Sequence, residues 1–119
     1  MNKETLNSVI SELTHFTGSE NYYKHWIGIT YTEGVKFLAE KFNCFWLIDA
    51  IASHQINKNV RKEQFQVWTI RKEKSKWILE VDDGNRNILA EQVIEYSDFP
   101  LEEFKLYLCD LVLMLISEY

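Results

Sequence analysis

Ser97-Asp98-Phe99-Pro100-Leu101-Glu102-Glu103-Phe104-Lys105-Leu106-Tyr107-Leu108-Cys109-Asp110-Leu111-Val112-Leu113-Met114-Leu115-Ile116 is the stretch that decides how this chain closes its fold. Pro100 suits the first turn of a helix, and Asp98, Glu102 and Glu103 favour its positive end. Leu101, Phe104, Leu108, Leu111 and Leu115 then recur at spacings of three and four. The pattern predicts a C-terminal helix, apolar on every side from Leu111 to Ile116 and therefore largely covered.

Upstream of it the period changes. Residues 64–71, 76–82 and 87–96 are rich in Val, Ile, Trp, Phe and Tyr, and are separated by Glu73-Lys74-Ser75 and by Asp83-Gly84, which predicts three strands in an antiparallel meander. Alternation puts Trp77, Leu79 and Val81 with Ile88, Ala90 and Ile94 toward the core. Glu80, Asp82, Glu91 and Glu95 share the other side.

The first half reads as helices. Leu6, Val9, Ile10 and Leu13 keep helical spacing, with Asn2 as a cap and Gly18 as a stop. Residues 17–31 break the period and crowd Tyr22, Tyr23, His25, Trp26 and Tyr31 into an irregular segment. Thr32 caps a second helix carrying Val35, Leu38, Ala39 and Phe42 on one stripe, and Asn43 suits its exit. Residues 44–53 are apolar nearly all round, with Asp49 as the exception, and residues 55–63 form a polar, basic connection. The expected fold is α+β in a single domain over residues 1–119: N-terminal helices, a three-stranded antiparallel β-meander and a C-terminal helix packed on the sheet.

Composition limits the function. The chain has 119 residues with 13 Lys plus Arg against 18 Asp plus Glu, a net charge of −5. A chain of this length buries roughly 65% of its unfolded surface and needs no metal or disulfide to hold it. The charge is uneven, with seven cations and two anions in residues 57–76 against two and ten in residues 77–119. Net acidity argues against direct binding to nucleic acid or an anionic membrane, both of which require clustered cations. No basic leader precedes an apolar stretch, and the run Leu111 to Ile116 is too short to cross a bilayer, so a cytoplasmic protein is expected. Cys44 and Cys109 sit in apolar runs without the spacing of a metal knuckle and read as core residues.

His15, His25 and His54 lack the spacing of a zinc site, so neither metal nor cofactor is expected. There is no Gly-x-Ser-x-Gly elbow and no phosphate-cradling loop. Asp49 stands out, because a carboxylate in an apolar helix needs a partner to offset its desolvation. It reads as a buried or half-buried group bonded to the aromatic segment, or as a carboxylate lining a pocket with Tyr22, Tyr23, His25 and Trp26. Those aromatics alone suit core packing or a protein interface, since only Lys24 accompanies them as a cation. Lys58, Arg61, Lys62, Arg71, Lys72, Lys74 and Lys76 form a basic run whose plain role is a solvated edge. Glu80, Asp82, Glu91 and Glu95 make an acidic sheet face that either serves solubility or steers a basic partner.

Several strings are also familiar: Phe16-Thr17-Gly18-Ser19-Glu20-Asn21-Tyr22-Tyr23-Lys24-His25-Trp26, Tyr31-Thr32-Glu33-Gly34-Val35-Lys36-Phe37-Leu38-Ala39-Glu40, Trp46-Leu47-Ile48-Asp49, Phe65-Gln66-Val67-Trp68, Asp82-Asp83-Gly84-Asn85 and the tail ending Ser117-Glu118-Tyr119. Over residues 16–119 the chain resembles an uncharacterised family of small bacterial proteins often carried on phages and plasmids. The resemblance brings no catalytic or ligand-binding residue with it. It implies a mobile-element setting, and with the acidity it points to a non-enzymatic interaction module acting on another protein, such as an inhibitor of host nucleic-acid or defence machinery, with interference with a defence nuclease (an anti-CRISPR-like role) as an analogy. The competing class is a small-molecule binder or enzyme with a pocket between Asp49 and Tyr22 to Trp26. Homo-oligomerisation is compatible with either.

Overall fold

The computed structural model describes residues 1–119, and its sheet has seven strands rather than three. In chain order the elements are α1 (Lys3–Leu13), β1 (Tyr22–Lys24), β2 (Thr30–Thr32), α2 (Glu33–Lys41), α3 (Phe45–His54), α4 (Lys58–Arg61), β3 (Phe65–Glu73), β4 (Lys76–Asp82), β5 (Ile88–Ile94), β6 (Glu103–Cys109) and β7 (Val112–Leu115), closed by a 3₁₀ turn over Ile116–Glu118. The strand order is β1-β2-β7-β6-β3-β4-β5, with all neighbours antiparallel except β2 and β7. The expected α+β class holds, but its three-stranded arrangement and its C-terminal helix do not.

The error lies in the period of residues 101–115. Phe104, Leu106 and Leu108 alternate onto the core face opposite Ile70, Trp68 and Gln66, while Glu103, Lys105 and Tyr107 point the other way. The helical stripe used Phe104 and Leu108 but left out Leu106 and Leu113, which are 2% and 0% exposed. Asp110 and Leu111 form the two-residue turn between β6 and β7, with φ of 50° and 65°. Two successive positive φ values give the turn the twist that a hairpin needs. A leucine is an unusual occupant, since left-handed backbone costs a residue with a Cβ about 1–2 kcal/mol. The Asn-Gly type of signal that would have marked this turn is therefore missing.

The meander forms as expected, with one local change. A bulge between Val81 and Asp82 sets Ile88 opposite Asp82, so Ile88 lies 49% exposed instead of in the core. Leu89 takes over some of that packing, beside Ala90 and Ile94.

The helices form for the local reasons already given. Asn2 accepts a 2.8 Å bond from the Thr5 N–H at the start of α1, and Thr32 accepts one of 3.2 Å from Val35 at the start of α2. Asn43, at φ 51°, ends α2 in the left-handed conformation that asparagine tolerates. The polar connection contains the single turn α4, pinned by buried Val60. One core of 23 buried residues joins Val9 and Leu13 of α1, the inner stripes of α2 and α3 and the inward side chains of β3, β4, β6 and β7. The opposite sheet face carries no helix, and there Tyr119 packs on Phe65 and Tyr107 with ring centroids 5.3 Å apart in both pairs.

Two polar networks join distant parts of the chain. The amides of Gln55 and Gln66 bond each other reciprocally at 3.0 and 2.9 Å, and the Gln66 oxygen also accepts the Trp68 indole N–H at 3.0 Å. At the C-terminus, Glu118 Oε1 accepts from the Thr32 hydroxyl at 2.6 Å and the Leu115 N–H at 2.9 Å, while Oε2 accepts from the Ser19 hydroxyl at 3.0 Å.

Candidate functional site

β1 and β2 form a short hairpin whose tip, His25 to Ile29, folds over α3. Its turn is closed by the His25 N–H donating to Ile29 O at 2.8 Å, and it passes through Gly28 at φ 125°, a conformation that L side chains rarely adopt. The hairpin directs His25 inward and Trp26 outward, so that His25 is 7% exposed and its neighbour 87%. From α3, Phe45 and Asp49 stand one helical turn apart on the exposed side, 42% and 65% exposed, while Leu47, Ile48 and Ile51 fill the core.

His25 Nε2 lies 2.7 Å from Asp49 Oδ1, and the Ile27 N–H donates to His25 Nδ1 at 3.1 Å. With Nδ1 accepting, Nε2 is the ring nitrogen that donates to the carboxylate. This bond fastens the hairpin tip to α3. A histidine paired with a carboxylate resembles a general base, but here both ring nitrogens are engaged within the protein. The Trp26 indole stacks on the same imidazole at 5.9 Å with an interplanar angle of 23°. Trp26 nevertheless stays 87% exposed, so the ring pair covers little of the indole.

Together Lys24, His25, Trp26, Tyr31, Phe45, Ile48 and Asp49 line a concavity of about 290 Å³. Three of the five residues proposed for this site, His25, Trp26 and Asp49, do meet there. Tyr22 and Tyr23 do not. Tyr23 stacks on Tyr31 at 5.6 Å with the Lys36 ammonium 4.3 Å from its ring, and Tyr22 projects from the other side of β1, 56% exposed. Asp49 is bonded to the aromatic segment as expected, but it is not buried, so its desolvation cost is small. Phe45 and Tyr31 were missed. The spacing of Phe45 and Asp49, one turn apart, was the signal available, but the almost uniformly apolar run around them hid which side of α3 faced water.

The four acidic residues of the meander lie on the helix-free side, with Glu80 directly opposite Glu91. Their field is partly cancelled. Arg71 lies 3.1 Å from Glu80, and Lys76 lies 3.6 Å from Glu95, while Asp82 Oδ1 is occupied by the Gly84 N–H at 2.7 Å. The basic run is divided: Lys58, Arg61 and Lys62 precede β3, whereas Lys72, Lys74 and Lys76 lie at its far end. A nine-residue strand separates the two groups by roughly 25–30 Å.

A larger cleft, of about 710 Å³, lies elsewhere between α1, the start of β6 and the 3₁₀ turn. Ile10, Leu13, Leu101, Phe104, Leu115 and Ile116 make it apolar, and Glu103 and Lys105 are its only charged residues. Cys44 is buried, which together with the nearby Asp98 charge pushes its thiol up to about 12 and makes it unreactive. No three His, Cys, Asp or Glu side chains converge as a metal site would require, and no helix is long and apolar enough to cross a membrane.

No curated protein and no solved structure matches the chain. A family model nevertheless matches residues 7–119, taking in most of α1, the hairpin, α3 and the whole sheet, and the chain belongs to DUF6876, a family of unknown function.

Proposed function

We propose that this protein is a non-enzymatic protein-interaction module whose contact surface centres on Trp26, with Phe45 and Asp49 beside it. The observation that carries the reading is the indole of Trp26, 87% exposed yet stacked on an imidazole that is itself bonded to α3. An exposed tryptophan adds nothing to the protein's own core. With only two side-chain torsions to fix, it offers a large apolar area to a partner at modest cost in side-chain entropy, the property of interface anchors. The acidic sheet face is the weaker candidate, because Arg71 and Lys76 already neutralise part of it.

In its most concrete form the module is a cytoplasmic accessory or inhibitory protein of a bacterial mobile element, acting on host nucleic-acid or defence machinery. Small size, net charge of −5 and an exposed aromatic anchor are compatible with that role, which otherwise rests on analogy. The pocket-enzyme reading loses support from His25, whose ring nitrogens are both committed.

Affinity capture from a nuclease-treated lysate of the native host tests the proposal, using the wild type, Trp26→Ala and the double variant Glu80→Lys with Glu91→Lys. A stoichiometric partner that is lost with Trp26→Ala and kept with the charge reversals is the expected result. Loss with the reversals alone moves the contact to the sheet. A partner retained by all three proteins, or no partner for any, overturns the reading.

A further inference from the structure

Given that interaction reading, we propose that the concavity beside Trp26 takes an arginine side chain of the partner protein. The charge is complementary. Asp49 is a carboxylate 65% exposed whose one bonded neighbour is His25 at Oδ1, so Oδ2 has no partner within the protein. Its orientation is fixed by the His25 Nε2–H bond, which leaves the remaining lone pairs for an incoming donor.

The surroundings of Asp49 are flat and apolar. Trp26 lies beside His25 and keeps most of its indole open to solvent. Phe45 forms a ledge one turn away on α3. A planar guanidinium stacks on an aromatic face while donating two parallel N–H bonds to a carboxylate, a combination the compact, strongly hydrated lysine ammonium does not match. A volume of about 290 Å³ suits one side chain rather than a folded element. The protein's overall charge of −5 favours the approach of a basic segment. Lys24 also lines the concavity and opposes the guest. It is the only cation there, and its removal strengthens the interaction.

The test is an NMR titration with three capped peptides, acetyl-Gly-Xaa-Gly-amide with Xaa as arginine, lysine or citrulline, the last being the uncharged isostere of arginine. Arginine is expected to shift the Trp26 indole N–H and the Phe45 and Asp49 resonances with the highest affinity, followed by lysine, with citrulline weakest. Asp49→Asn is expected to weaken the arginine peptide roughly fivefold, the equivalent of about 1 kcal/mol for an exposed charge pair. Lys24→Gln is expected to tighten it about twofold, a gain that a purely structural role for Lys24 does not produce.

Equal binding of citrulline and arginine, shifts confined to other residues, or no shift up to on the order of tens of millimolar peptide overturns the arginine assignment. If Trp26→Ala still abolishes lysate capture in that case, the interaction surface stands and only its guest is wrong. If capture is also unaffected, both proposals fall.

Discussion

Gln66 is 1% exposed, and its side chain makes more bonds than any other in the core. Its two N–H hydrogens serve three acceptors, Gln55 Oε1 at 2.9 Å, Val60 O at 2.9 Å and Glu63 O at 3.1 Å, one of them shared, and its oxygen accepts from Gln55 Nε2 and Trp68 Nε1, each at 3.0 Å. Gln66→Leu nearly preserves volume and removes all of these. The Val60 carbonyl keeps the Glu63 N–H at 3.1 Å, and Gln55 Nε2 keeps Ile51 O at 3.1 Å. Orphaned are the Trp68 indole N–H and Gln55 Oε1, both buried, and the half-buried Glu63 carbonyl. At about 1–3 kcal/mol for each buried group, the expected loss is about 3–5 kcal/mol. For a domain of this length with a stability of about 10 kcal/mol, that lowers the melting temperature by roughly 10–20 °C. Urea unfolding followed by tryptophan fluorescence and circular dichroism measures it. The double variant Gln55→Leu with Gln66→Leu is expected to cost at least about 1 kcal/mol less than the sum of the two single changes, because neither amide is then left without the other. A loss below about 1 kcal/mol for Gln66→Leu alone would refute the claim that this network stabilises the fold.

Gly34→Ala places a Cβ 2.6 Å from Leu115 Cδ1 and 2.7 Å from Glu118 Oε1, so a loss of about 1–3 kcal/mol is expected in the same assay, against the gain that alanine brings to an exposed helix. Thiol labelling at pH 8 is expected to modify Cys109 in the native protein and Cys44 only after unfolding, because burial and the Asp98 charge hold the Cys44 thiol up to about 12. Asp83 is held below the ordinary value of 3.8, chiefly by the Asn87 side chain and then by the Asn85 N–H. A depressed folded pKa gives stability that is present above the unfolded value and lost as pH falls through the lowered one. The stability difference between wild type and Asp83→Ala is therefore expected to be constant near neutrality and to shrink below about pH 4, as pH-dependent urea midpoints would show.

The parts of this fold that were legible in the sequence carry strong local signals. Asn2 and Thr32 cap the helices expected of them, and residues 76–82 form a strand with Trp77, Leu79 and Val81 inward. Residues 101–115 failed because leucine is so frequent there that helical and alternating spacings both find apolar matches. Only the tertiary context decides, since Leu106 and Leu113 need the same face. β1 and β2 are three residues each, too short to show a period, and β2 gains its place from a parallel partner far along the chain. At the candidate site, the contact between Asp49 and His25 was foreseeable from chemistry, whereas the ring's engagement at Nδ1 depends on the turn at Ile27 and has no sequence signature. The division of the basic run by β3 is likewise a consequence of strand length.

The bonds made by Glu118 bear on how the chain comes to be folded at all. Thr32 and Glu118 are 86 positions apart, and Ser19 and Glu118 are 99 apart, so the carboxylate that joins β2, α2 and the loop before β1 comes from a distant part of the chain. β7, which β2 needs as a neighbour, comes from the same distant stretch and sets Val112 beside Thr30. Until residues 112–118 have been made, the hairpin that carries Trp26 lacks the strand that supports it. Pairings of such separation are slow because loop-closure entropy is met before any contact rewards it, so the β1–β2 edge of the sheet is completed after the local β3–β4–β5 meander.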